Sequence, residues 1–385
     1  MIMKNEAENQ GIQHSIDNIQ HSTFNIQHSK ARLLSLDILR GLTVAAMILV
    51  NNGAGKFTFS TLQHSRWNGM TPCDLVFPFF LFIMGISTYL SLRKTNFTLS
   101  APVMKKIVRR TVLIFLIGLA INWFDMACDG RPFDFAHLRF YGVMQRIALC
   151  YFAVSMLALV MNHRYLLPVS FGLLLVYAII ISAGGGYVYD SARNILAQVD
   201  LNLLGYDHLY HKSPVDPEGL LSTISAIAHT MIGFFCGKLI CNARDNDEKV
   251  MHLMLIGAAL VIAGWLLQFE YPLNKRIWSP SYVLVTCGGA AMLQGILMYI
   301  IDIRGSKSWT TPLLVFGINP LFLYVVSELL GILFGATGIK DGAYSAINTV
   351  ITNPYFASLC YALLFVSLHA AMGWILYKRK IYIKL

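Results

Sequence analysis

The stretch "HSRWNGMTPCDLVFPFFLFIMG", His64 to Gly85, passes without a break from a polar cluster into a phenylalanine-rich apolar run. A membrane-crossing helix needs about 20 mainly apolar residues, and this run supplies them by continuing to about residue 93. Working outward, comparable runs fall at roughly 33 to 51, 74 to 93, 107 to 124, 142 to 161, 165 to 183, 220 to 241, 252 to 269, 281 to 302, 312 to 334 and 355 to 376. They leave no room for a soluble domain. Of the 385 residues 56% are hydrophobic and 13% charged, with a mean hydropathy of +0.57, as expected for an integral membrane protein. The runs are too long for barrel strands and lack their period-2 alternation. The fold expected is therefore all-α, a polytopic transmembrane bundle of about ten spans embedded in a lipid bilayer.

The net charge of +10 reflects topology and does not point to nucleic acid. Arg93, Lys94, Lys105, Lys106, Arg109 and Arg110 lie between the second and third spans. Later even-numbered links add His163 and Arg164, then Lys238, Arg244 and Lys249, then Arg304 and Lys307, and the tail adds Lys378, Arg379, Lys380 and Lys384. With ten spans all of these fall on one face. By the positive-inside rule that face is cytoplasmic and carries both termini, in an inner (plasma) membrane. The other face receives the links at about 52 to 73, 125 to 141, 184 to 219, 270 to 280 and 335 to 354.

Residues 1–31 carry "IQHS" at Ile12, Ile19 and Ile26, with His14, His21 and His28. We read this as a disordered extension in preference to a metal-binding tail, and residues 32–385 as one transmembrane domain. The extension lacks the apolar core of a cleaved signal peptide, so the first span would act as an uncleaved signal. The seven cysteines are scattered without a CxxC pair and read as small apolar fillers, although a bridge between Cys73 and Cys128 stays open. No inverted repeat of transporter type stands out.

Ionisable groups within a bilayer cost at least about 2.5 to 3.5 kcal/mol each on insertion scales, so each asks for a partner or a wet cavity. Asp37 and Arg40, three apart on the first span, are either a structural ion pair or a guanidinium aimed at an anionic ligand. Gln145 and Arg146 begin the fourth span and are read as facing a cavity. Ser222, Thr223, Ser225, His229, Asn319, Glu328 and His369 add polar groups deeper in the bundle. In the outer links, Asn51 ends the first span, Gly53 and Gly55 allow close backbone approach, and His64 stands just before Trp67 and Asn68, which together have the composition of a carbohydrate platform. Farther on lie His208, His211, Asp216 and Glu218, then Asn274, Lys275, Arg276 and Trp278. His208 and His211 would suit a metal only on a helix, and Pro214 and Pro217 argue for an irregular loop, so no metal is expected.

Six blocks together resemble the heparan-α-glucosaminide N-acetyltransferase family of multi-spanning acetyltransferases. They are "SLDILRGLTVAAMILVNNGAG", "HSRWNGMTPCDLVFPFFLFIMG", "GVMQRIALCYF", "DPEGLLSTISAIAHTMIGFFCGKLI", "PLNKRIWSPSYVL" and "FGINPLFLY", running from about residue 33 to 325. The resemblance implies transfer of acetyl from cytoplasmic acetyl-CoA, a co-substrate, to the amine of a terminal glucosamine on the far side. It maps the family's active-site histidine to His64 and its asparagine to Asn51. The segment from Asn51 to His64 is about two residues longer than in the family, and the chain reads as a compact form without the lumenal N-terminal domain of animal members.

Histidine suits the chemistry, because imidazole titrates near neutrality and can take the amine's proton or itself accept the acetyl group. Asn51 or the backbone N–H groups of Asn52 to Gly55 would hold the oxyanion. Arg40, Arg146 and Gln145 would meet coenzyme A, and Trp67, Asn68, Asp216, Glu218, Asn274 and Trp278 the sugar. O-acetylation of a cell-envelope polysaccharide and non-enzymatic transport of a sugar-like solute are the competing functions. A homodimer is compatible with either enzyme reading.

Overall fold

The structure, a computed structural model, describes residues 33–190, 192–210 and 213–383. The IQHS repeat, His211 and Lys384 lie outside these. The described residues form thirteen α-helices and no strand. They are α1 (Leu34–Asn51), α2 (Val76–Arg93), α3 (Ala101–Cys128), α4 (Val143–Val160), α5 (Leu166–Ala183), α6 (Ile195–Leu204), α7 (Leu220–Asn242), α8 (Asn246–Leu267), α9 (Pro280–Met298), α10 (Thr311–Ile318), α11 (Pro320–Ala336), α12 (Ile339–Val350) and α13 (Pro354–Lys378).

Among the described residues nine helices are long and apolar enough to cross a membrane, and α10 with α11 makes a tenth span if the bent pair is counted as one. That pair corrects the expectation of a continuous helix over 312 to 334. It bends by 84° at Asn319, because Pro320 disfavours the helical conformation in the residue before it and Asn319 takes φ −123° and ψ 55°. Its side chain then holds the irregular segment that follows α13, donating to Ile381 O at 2.9 Å and accepting from Ile383 N at 2.8 Å. Two of the outer links also contain helices, α6 within 184 to 219 and α12 within 335 to 354.

α7 is the hub, packing against α2, α4, α5, α6, α8 and α9. Its crossing with α2 is made at paired glycines: a Cβ on Gly85 would lie 2.2 Å from Thr230 O, and one on Gly233 2.3 Å from Phe82 O. The backbones touch, which is how membrane helices gain packing where no hydrophobic drive exists between helices. α1 meets α10 in the same way through Gly41 and Gly317. Val112 and Leu116 of α3, Leu175 and Ile179 of α5, Leu255 and Ile262 of α8, and Leu364 of α13 stay exposed. So much outward apolar surface suits lipid and not water; this is a multi-span membrane protein.

The five links expected on one face do gather at one end of the bundle. Gly69 N donates to Leu273 O at 2.7 Å and Phe140 N to His208 O at 3.2 Å, Trp67 Nε1 donates to Tyr187 O at 3.2 Å, and Gly55 packs on the Tyr344 ring.

Candidate active site

His64 lies on the link between α1 and α2, and the turn that follows it provides its partner. Thr71 caps a short 3₁₀ turn, Pro72–Leu75, with Asp74 answering in a capping box, so Asp74 is aimed back at the chain that precedes it. Asp74 is fully buried. Its Oδ2 accepts from Ser65 N at 3.1 Å, Thr71 N at 3.0 Å and Thr71 Oγ1 at 3.0 Å. Its Oδ1 accepts from His64 Nδ1 at 2.7 Å. With the proton assigned to Nδ1 by that bond, Nε2 keeps its lone pair, and the His64 side chain is 48% exposed. A buried carboxylate thus orients a half-exposed imidazole and leaves its other nitrogen unengaged by that carboxylate, the arrangement a general base or nucleophile requires.

Lys275 completes the cluster from the link between α8 and α9. Its Nζ lies 3.0 Å from His64 Nδ1, 3.3 Å from Nε2 and 3.6 Å from Asp74 Oδ1. Burial pushes the Lys275 ammonium below its ordinary range, with the Asp74 charge opposing. Asn274 fixes this loop: its Oδ1 accepts from Arg276 N at 2.9 Å and Ile277 N at 3.2 Å, and its Nδ2 donates to Asn68 Oδ1 at 3.1 Å. Tyr282 OH donates to Asp74 O at 2.5 Å, joining α9 to the same turn. Cys73 Sγ is 3.1 Å from His64 Nδ1 and all seven cysteines are free, so the Cys73–Cys128 bridge left open by the sequence is not formed.

Asn51, exposed at the end of α1, donates from Nδ2 to Glu328 Oε1 at 3.1 Å, and no hydrogen bond links it to His64 among the described residues. Ala54 N donates to Ser358 Oγ at 3.2 Å, which engages one of the backbone groups considered for an oxyanion. Arg40 donates to Asp37 Oδ1 at 3.0 Å and to Ser87 Oγ at 2.8 Å, so the ion pair is made, together with a contact to α2.

The other expected contacts are placed mostly inside the protein. Arg146 is fully buried, donates to Gly219 O at 3.2 Å and to Ser222 Oγ, and lies 5.0 Å from the Trp278 ring centre; it fastens the start of α7. Gln145 is buried against Gly118. Trp278, at φ +53°, is buried among Phe77, Tyr282 and His229. Trp67 packs in an apolar cluster with Tyr177, Ile181, Leu196, Val215 and Ile277, and Tyr189 stands edge-on to it at 5.0 Å. Asp216 and Glu218 share Arg139, at 2.8 Å and 2.9 Å. Arg139, after opposing burial, holds the Glu218 carboxyl below its usual range. Asn68 is exposed beside the site. His208 Nδ1 bonds Leu138 O at 2.6 Å, and no group of metal-binding side chains forms among the described residues.

Sequence reasoning assigned no role to Lys275, Cys73 or Asp74 in this cluster. Asp74 was legible as the acid of a T-x-x-D capping box three residues past Thr71. Nothing local signals Lys275, which lies 211 positions from His64.

A protein-family model described as "Heparan-alpha-glucosaminide N-acetyltransferase, catalytic" matches residues 32–269. The chain is 31% identical over 364 residues to the human heparan-alpha-glucosaminide N-acetyltransferase, covering 77% of this chain and 53% of that protein. It is 28% identical over 419 residues to the mouse protein of the same name, covering 92% of this chain and 60% of that one. The chain thus spans little more than half the length of these relatives. The match takes in α1 to α8 and the link that carries His64 and Asp74, and on it the chain belongs to the heparan-alpha-glucosaminide N-acetyltransferase catalytic family.

Proposed function

We propose that this protein transfers an acetyl group from acetyl-CoA to the amine of a terminal glucosamine-type sugar, with His64 at the centre of the reaction. The observation that carries this reading is the oriented imidazole, His64 Nδ1 on buried Asp74 at 2.7 Å with Nε2 unengaged by the carboxylate, in a chain whose relatives carry the name of that reaction. Nε2 takes the proton released as the sugar nitrogen attacks the thioester carbon, and passes it to the departing coenzyme A sulfur. In the two-step variant Nε2 attacks first, the carbon–sulfur bond breaks, and the acetyl-imidazole then meets the amine.

Coenzyme A is taken from the Lys/Arg-rich side, cytoplasmic by the positive-inside rule, in a plasma membrane. Arg40 lies eleven residues before Asn51 on α1, a rise of about 16 Å toward that side, and is our candidate for its phosphates. The extended pantetheine arm would then bring the thioester to His64. Asn51, held by Glu328, is our oxyanion donor. Asn68 and exposed Tyr189 face the sugar in place of Trp67 and Trp278, whose rings are taken up by packing.

The test is to supply purified protein with acetyl-labelled acetyl-CoA and either glucosamine or glucose. Label in an amide of glucosamine alone supports the reading. Equal ester formation on glucose would move the function to O-acetylation, and uptake of unmodified sugar into proteoliposomes would make it transport.

A further inference from the structure

We propose that Lys275 is a self-acetylation site: when no acceptor sugar is bound, its side-chain amine takes the acetyl group handled by His64. This rests on the acetyl-transfer reading above. The geometry puts Nζ 3.0 Å from His64 Nδ1 and 3.3 Å from Nε2, the nitrogen that handles or carries the acetyl group, so an acetyl carbon on or beside Nε2 falls within reach of the amine, for which productive approach is about 3–3.5 Å. An amine is also the chemical class of the expected acceptor, so the site treats Lys275 as a built-in substrate analogue. The loop cannot readily withdraw it. Asn274 and Gly69 tie its start, Ser225 Oγ donates to Trp278 O at 2.7 Å, Tyr177 OH donates to Ile277 O, and the Lys275 side chain is only 13% exposed. Burial also favours the uncharged amine, the form able to attack.

In the step, the Nζ lone pair attacks the acetyl carbon and a carbon–nitrogen amide bond forms. The bond from that carbon to His64 Nε2, or to the coenzyme A sulfur in direct transfer, breaks. The proton lost from Nζ goes to the imidazole or the thiolate. The product has no charge, so Asp74 loses the cation 3.6 Å away and a bulkier group abuts His64. The modified enzyme would be switched off, so the acceptor sugar protects the activity it uses.

The experiment incubates the purified full-length chain with acetyl-labelled acetyl-CoA, with and without saturating glucosamine, and maps label by peptide mass spectrometry. We expect label at Lys275 without acceptor, a severalfold fall with glucosamine present, and its loss in monodisperse His64→Ala. Acetylated glucosamine with Lys275 unlabelled in every arm overturns this inference and leaves the function standing. Label at Lys275 that persists unchanged in His64→Ala, or that glucosamine does not lower, reports non-enzymatic acetylation and also overturns it. The glucosamine arm needs only wild-type protein, so the proposal stays testable if the variant misfolds. Absence of both products would instead remove the acetyl-transfer reading underneath.

Discussion

At the scale of single residues the site is an exposed imidazole braced by a buried carboxylate. His64→Ala should cut acetyl transfer by about 10²–10⁴-fold, the range for a positioned acid–base group, and lower the melting temperature modestly, because buried Asp74 Oδ1 loses its 2.7 Å partner, a cost of about 1–3 kcal/mol. Turnover and thermal unfolding of the same preparation check both halves. Asp74→Asn should affect both. Asp74 Oδ2 accepts from three donors and Oδ1 from His64, so one amide N–H must face a donor, costing about 1–3 kcal/mol while releasing the imidazole from its tautomer. The expected outcome is a lowered melting temperature together with a fall in turnover larger than the loss of folded protein explains. His64 and Asn68 were singled out because they adjoin in sequence. Lys275 was not, since only the folded links bring it to His64. The burial of Trp67 and Trp278 was equally hidden: an aromatic side chain in a polar link looks like a sugar platform until the links are seen to form a small core of their own.

At the scale of elements, most spans could be read to within a residue or two because lipid forces backbone hydrogen bonds inside each span, while α3 and α8 each begin six residues earlier than expected. The break at Asn319 was signalled by Pro320 but overridden in reading by the continuous apolar run around it. Substituting Gly85 by Val should disrupt the α2–α7 crossing, where a Cβ would sit 2.2 Å from Thr230 O; overpacking of this kind costs about 1–3 kcal/mol or more, and thermal unfolding in detergent measures it.

The junction of α6 and α7 makes a pH prediction. Asp200, buried and accepting from Leu220 N at 2.9 Å, has its carboxyl pushed up by burial to about 6. A raised carboxyl favours the folded state below the unfolded value of about 4, and that contribution fades as pH rises through about 6. Asp200→Asn, which keeps the acceptor, should therefore gain stability relative to wild type between about pH 4 and pH 7, on the order of 2 kcal/mol. Parallel unfolding curves at the two pH values would show the gap widening, and a constant gap would contradict the assignment.

For the whole molecule, the described structure gathers the chemistry at one end of the bundle and leaves the Lys/Arg-rich links at the other. On the proposed reading, donor and acceptor reach the protein from opposite sides. The most direct measurement seals the wild-type chain in oriented liposomes, with labelled acetyl-CoA on the Lys/Arg-rich side and glucosamine on the His64 side. The account predicts N-acetylglucosamine accumulating on the His64 side in wild type and absent with His64→Ala. Product confined to the acetyl-CoA side, or undiminished in the variant, would contradict it.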